Sequence, residues 1–145
     1  MQIGDEPPST PRPKRPRDEL GRPLPRTEPN RLPLEDFDSL SIDENHRLGL
    51  AHFEGARFFA AHEAWETCWK QETDAAEAEL FKGLAQLAAG YVHLQRGNRH
   101  GAATLLRRGA GRLQHRGAWR GMQLDAMAAA ALARAATLDA SPPAS

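Results

Sequence analysis

The sequence predicts an all-α protein, a compact bundle of about five helices preceded by a Pro/Arg-rich tail. Three observations carry that expectation. The 145 residues contain one Val and two Ile (Val92, Ile3, Ile42) against abundant Ala and Leu, too little β-branched material for a convincing sheet strand. Nine of the eleven prolines lie between Pro7 and Pro33 and the other two are Pro142 and Pro143, so the stretch between Pro33 and Pro142 is free of helix breakers. Within that stretch, apolar residues recur at helical spacing between recognisable caps.

The tail comes first. Residues 1–34 carry seven basic and five acidic groups and no aromatic, so they bury too little apolar surface to offset the entropy of ordering. Residues 1–38 are therefore expected to be disordered or extended, residues 39–138 to form the helical body, and residues 139–145 to be disordered. Arg12, Lys14, Arg15 and Arg17 offer a patch for nucleic acid or localisation, but interspersed acids and prolines favour a solvated tail.

Ser41 followed by Glu44 has capping-box spacing and Gly55 supplies a stop, which predicts a first helix over 42–54. A second is expected from about Arg57 to Gln71. Asp74 and Glu77 open a long third helix that ends at Gly97, and Asn98 caps a fourth reaching about His115. After the break at 117–121, an alanine-rich fifth helix covers about 124–137. Gly83, Gly90 and Gly97 recur every seven residues on the third helix, where a second backbone can approach closely. The rest of that helix is apolar except for one stripe, Glu79, Lys82, Gln86 and His93, which falls within about 60° of arc.

On the second helix Phe58, Phe59, Trp65 and Trp69 define an apolar arc that also contains His62 and Glu66, four apart and hence neighbours on one face. Glu63 and Lys70 are expected on the more polar side. A short connection at Thr73 favours antiparallel packing of the second and third helices, which would set His62 and Glu66 against Gln86 and His93. Two imidazoles, a carboxylate and an amide suit a divalent cation such as Zn²⁺, Fe²⁺ or Mn²⁺, with Glu63 as a further carboxylate, or let His62 act as a general base oriented by Glu66. The alternative is structural: His62 and Glu66 bond each other and fix one register of the core. The zincin motif is excluded because Glu66 stands where it needs a second His, and a ferritin-like di-iron site is excluded because no Glu precedes a His by three. Trp65 and Trp69 fit core packing better than ligand stacking. Cys68 fits a buried small hydrophobe, and His46, His52, His100 and His115 fit surface positions or helix ends.

These motifs resemble the uncharacterised bacterial and archaeal family known as domain of unknown function three hundred and nine. The likeness runs from about Leu48 to Leu113. It rests on Gly55 with Phe58 and Phe59, His62-Glu63-Ala64-Trp65-Glu66-Thr67-Cys68-Trp69, Gly83-Leu84-Ala85-Gln86-Leu87-Ala88-Ala89, His93-Leu94-Gln95-Arg96-Gly97-Asn98, and Gly101-Ala102-Ala103-Thr104-Leu105-Leu106. Ala60 departs from it, standing where the resemblance leads one to expect an acid. The resemblance implies a compact helical bundle and no particular activity.

A formal net charge of zero conceals an asymmetry. Residues 35–79 hold twelve acids against three bases, a net −9, whereas residues 80–124 hold eight bases and no acid. Complementarity between the halves, within or between subunits, is the first expectation. The second is an anion site at Arg96, Asn98, Arg108 and Arg112, or a polyanion-binding face in which Arg99, Arg107, Arg116 and Arg120 join them and RNA is the partner. A homo-oligomer is expected from the modest core of about a hundred residues. A single cysteine, the absence of a secretory signal and the absence of a membrane-length apolar segment lead to a cytoplasmic expectation. Phosphate loop, dinucleotide fingerprint, thiol redox pair and nucleophile elbow are all missing.

Overall fold

A computed structural model describes residues 15–140, so the tail expectations for residues 1–14 and 141–145 lie outside the described residues. Two units divide at Pro33 and Leu34. In the first, the Asp18 carboxylate accepts from the backbone N–H groups of Leu20 (2.9 Å) and Arg22 (2.8 Å) and from Arg22 Nε (2.7 Å), an Asx-type turn closed by an antiparallel bridge between Arg17 and Pro23. Asn30 Oδ1 accepts from the Arg17 N–H at 2.9 Å.

The second unit begins ordered packing at a 3-10 turn, Phe37–Ser39, with Phe37 buried. Five helices follow: α1 (Ile42–Glu54), α2 (Phe58–Gln71), α3 (Ala75–Gln95), α4 (Arg99–Leu113) and α5 (Leu124–Ala140). Local chemistry explains the boundaries. Ser41 Oγ accepts from the Glu44 N–H at 3.1 Å while Glu44 Oε1 accepts from the Ser41 N–H at 3.0 Å, a complete capping box. Asp74 Oδ1 takes the N–H groups of Ala76 and Glu77, and Asn98 Oδ1 takes that of Gly101. Gly97 turns the chain between α3 and α4 at φ +80.

Each helix packs chiefly on its sequence neighbours, and the most extensive pairing is α3 with α4. Glycine makes that pairing close. A Cβ on Gly109 would stand 2.8 Å from the Gly83 carbonyl oxygen and 2.8 Å from the Leu87 backbone nitrogen, and one on Gly90 would stand 2.8 Å from Leu106 Cδ2. Gly83 and Gly90 thus serve as expected, with Gly109 as their counterpart on α4. Trp65, Phe81, Leu84, Leu87, Leu106, Leu113 and Leu124 are fully buried between the helices. On α2 and α3, Phe58 stacks on Tyr91 (5.0 Å between centroids), His62 bonds Ala85, and Lys82 sits over Trp69 (5.1 Å), so the two helices run antiparallel.

The break at 117–121 contains a two-stranded hairpin absent from the sequence-based expectation: β1 (Ala118–Trp119) pairs antiparallel with β2 (Met122–Gln123). Its turn residues Arg120 (φ 48) and Gly121 (φ 77) are both left-handed, as a two-residue hairpin turn requires. Trp119 then packs edge-on against Phe81 at 5.0 Å and donates from Nε1 to Glu77 Oε2 at 2.8 Å. Side-chain anchoring, rather than strand propensity, holds these four residues.

His46 is corrected by the structure. Expected at the surface, it is buried, its Nδ1 accepting from Trp65 Nε1 at 3.2 Å and its ring lying edge-on to Phe81 and Trp119. The α1 helix closes over Trp65 at Gly49, where a Cβ would stand 2.7 Å from Trp65 Nε1, and His46 lies one turn earlier on the same face. Burial, with the Arg120 charge, holds its pKa below the ordinary value against the opposing influence of the Arg120 backbone and Asp43.

Candidate functional site

The middle of α2 gathers three potential metal-ligating side chains. His62 Nε2 lies 3.3 Å from Glu66 Oε2 and 3.8 Å from Glu63 Oε2, and one ligand atom from each of the three residues falls within 4.8 Å of the other two. Four-residue spacing brings Glu66 under His62. Glu63, only one residue on and expected on the polar side, reaches the same imidazole through its longer side chain. All three are half-buried.

His62 Nδ1 lies 3.1 Å from the Ala85 carbonyl of α3. A carbonyl can only accept, so Nδ1 carries a proton and Nε2 is the nitrogen turned to the carboxylates. Burial disfavours the imidazolium, but the Glu66 hydrogen bond, the Ala85 carbonyl and the charges of Glu66 and Glu63 outweigh it, and the His62 pKa stands above its ordinary value. Reciprocally, the His62 bond holds Glu66 down to about 2, with help from Lys70, whose Nζ lies 3.2 Å from Glu66 Oε1.

The partners expected from α3 are distributed differently. His93 lines one pocket of about 120 Å³ with His62 but is outside the three-residue group. Asn98 explains its state: with Oδ1 committed to the Gly101 N–H, its Nδ2 donates to His93 Nδ1 at 3.0 Å, which leaves the proton of the neutral ring on Nε2. Gln86 adjoins Ala85, its Oε1 buried without a hydrogen-bond donor among the described residues. Glu79 pairs with Arg112 at 3.5 Å and Lys82 covers Trp69, which accounts for the other half of the polar stripe.

Much of the basic run is committed inside the protein. Arg107 pairs with Asp139, Arg99 donates to the Leu138 carbonyl (2.8 Å), and Arg120 reaches Asp43 (3.0 Å) and Glu77 (3.2 Å). Arg108 is exposed. Asn98 acts as the α4 cap, and Arg96 ends α3. Acidic and basic halves therefore meet through Arg112–Glu79 and Arg120 with Asp43 and Glu77, a complementarity within the chain. Cys68 is fully buried, and burial pushes its thiol up to about 12, which makes it inert as a nucleophile.

Residues 46–105, which span most of α1, all of α2 and α3 and the first half of α4, match the family model described as Domain of unknown function (DUF309). The likeness to that family is confined to this segment. The match contains the His62, Glu63 and Glu66 group together with Gln86, His93, Arg96 and Asn98, and ends before Arg108 and Arg112. No curated protein and no solved structure matches the chain. No helix of the described residues is long and apolar enough to cross a membrane. Sequence patterning singled out His62 and Glu66 within the matched segment. It undervalued Glu63 because helical angle alone ignores side-chain reach, and it missed the Ala85 carbonyl because a backbone acceptor on another helix leaves no trace in residue identity.

Proposed function

We propose that this domain binds a divalent metal ion through His62 Nε2 and the carboxylates of Glu63 and Glu66. The observation that carries the reading is the convergence of those three ligand atoms within 4.8 Å beside an imidazole whose other nitrogen is pinned to the Ala85 carbonyl. Metal-bound histidines characteristically donate their second N–H to such an acceptor, which fixes the tautomer and the ring orientation. One imidazole and two carboxylates suit Zn²⁺, Mn²⁺ or Fe²⁺ and leave coordination positions for water or substrate, the arrangement of a catalytic rather than a closed structural site. A bound ion there would supply Lewis acidity and an activated water. Glu66 keeps Lys70 on its other oxygen, which holds the carboxylate in place.

The test is elemental analysis of untagged protein after reconstitution with Zn²⁺ or Mn²⁺ and desalting, run beside His62→Ala, Glu63→Gln and Glu66→Gln. Near-stoichiometric metal, lost in His62→Ala and Glu66→Gln and weakened in Glu63→Gln, is the expected result. No retained metal in the native protein, with His62→Ala and Glu66→Gln merely destabilised, would overturn the reading and leave the three residues as an ion-paired register lock.

A further inference from the structure

A larger pocket shares no residue with the His62, Glu63 and Glu66 group. Leu50, Phe53 and Glu54 at the end of α1, Met122 and Gln123 of β2 and Met127 in the first turn of α5 line a volume of about 290 Å³. Its walls are mostly apolar. Leu50, Phe53 and Met127 pack on the core while remaining only partly buried, and Phe53 is fixed by edge contacts with Phe58 and Tyr91 at 5.3 and 5.6 Å. Met122 and Met127 are the two methionines among the described residues, and their unbranched thioether chains adapt to the outline of an apolar guest.

Charge selects the guest. Glu54 is the one charged residue in the lining, and no Lys, Arg or His joins it. It is exposed and forms no ion pair or hydrogen bond among the described residues. It is also the last residue of α1, the end at which the helix dipole disfavours a carboxylate. A carboxylate set against the local field, with no cation of the lining to offset it, departs from local consistency in the way that binding sites do. Gln123, exposed on β2, adds an amide oxygen that accepts from N–H groups. An anion would find no cationic donor here. A purely apolar guest would cover Glu54 without pairing it.

Size narrows the class further. At about 30 Å³ per water the pocket holds roughly ten waters, at the lower limit of the ~300–1,000 Å³ typical of small-molecule sites and too small for a nucleotide. We infer that the pocket between the end of α1, β2 and the start of α5 binds a small organic cation, a primary amine bearing one ring or a short alkyl chain. Its ammonium group sits on Glu54 and Gln123, and its apolar body lies against Leu50, Phe53, Met122 and Met127.

The test is isothermal titration calorimetry of the metal-free protein at neutral pH with phenethylamine, which is protonated there, beside the neutral 2-phenylethanol and the anionic 3-phenylpropionate. Phenethylamine is expected to bind about fivefold more tightly than the alcohol, the upper end of what an exposed ion pair supplies, and the anion more weakly than both. Glu54→Gln should bring amine and alcohol to equal affinity. Ala126→Phe, at an exposed α5 position on the pocket wall, should abolish binding of both by filling the space. Circular dichroism establishes that both variants are folded. No saturable binding of the amine, or amine and alcohol binding alike to the native protein, would overturn the cation site. Undiminished amine binding by Ala126→Phe would place the amine elsewhere and overturn it too. A concentration-dependent dimer in sedimentation, broken by Ala126→Phe and indifferent to the amine, would assign the pocket to a second copy of the chain instead.

Discussion

Replacing Gly109 by Ala places a methyl group where the structure has backbone on both sides. The added carbon would stand 2.8 Å from the Gly83 carbonyl oxygen and 2.8 Å from the Leu87 nitrogen, whereas ordinary contact begins at 3.4 Å. The shortfall of about 0.6 Å cannot be relieved by rotating a side chain, because both atoms belong to the α3 backbone. Separating α3 from α4 loosens the largest helix pairing in the body, at a cost toward the upper end of the ~1–3 kcal/mol typical of overpacking. Ala gains about 1 kcal/mol over Gly in a helix interior, which leaves a net loss of about 2 kcal/mol. Gly111, two residues on, provides the control: among the described residues nothing lies within 4 Å of where its Cβ would stand, so Gly111→Ala keeps the propensity gain of ~0.5–1 kcal/mol. Thermal unfolding followed by circular dichroism should separate the two variants by roughly 10–20 °C, at about 4–8 °C per kcal/mol for a domain of this size. Two variants that melt together, or a Gly109→Ala more stable than the native protein, would refute the close approach of α3 and α4 at this point.

The pair His62 and Glu66 makes the metal-free protein's stability pH-dependent. Because Glu66 is held at about 2, below its ordinary 4.5, its contribution is present above pH 4.5 and is lost as pH falls from there toward 2. Because His62 is raised, its contribution is full below 6.5 and lost as pH rises through the folded-state value, so urea unfolding should show both declines and Glu66→Gln should flatten them. Arg120→Ala removes the contacts to Asp43 and Glu77 and the stacking on Phe81 and Trp119, each ring 5.2 Å from the guanidinium, and should destabilise by about 1–3 kcal/mol. Arg108→Ala, by contrast, should stay within ~0.5 kcal/mol; equal losses in denaturant titrations would contradict the division between committed and exposed arginines. Cys68 should resist a thiol reagent such as DTNB in native buffer and react at once in denaturant. Fast native labelling would contradict its burial.

The sequence alone determined where helices begin and end, because those limits are set within a few residues. Ser41 with Glu44, Asp74 and Asn98 satisfy the first backbone donors of their own helices, and the prolines stop short of the body. It also determined that His62 and Glu66 share a face, since four residues make nearly one helical turn. Tertiary structure decided everything that depends on a partner far along the chain. Arg120 reaches Asp43 across 77 residues, His62 finds Ala85 across 23, and His46 is buried because Trp65 lies 19 residues later on a helix packed against its own. The hairpin at 118–123 forms because Trp119 and Arg120 anchor on α3, not because its residues favour strands. Local patterns specify backbone state through bonds that the segment makes with itself. Which nitrogen of His62 faces the carboxylates follows only from the packing of α2 against α3, where the Ala85 carbonyl takes the other, while Glu63 reaches that imidazole by a side-chain length that position on the helical wheel ignores.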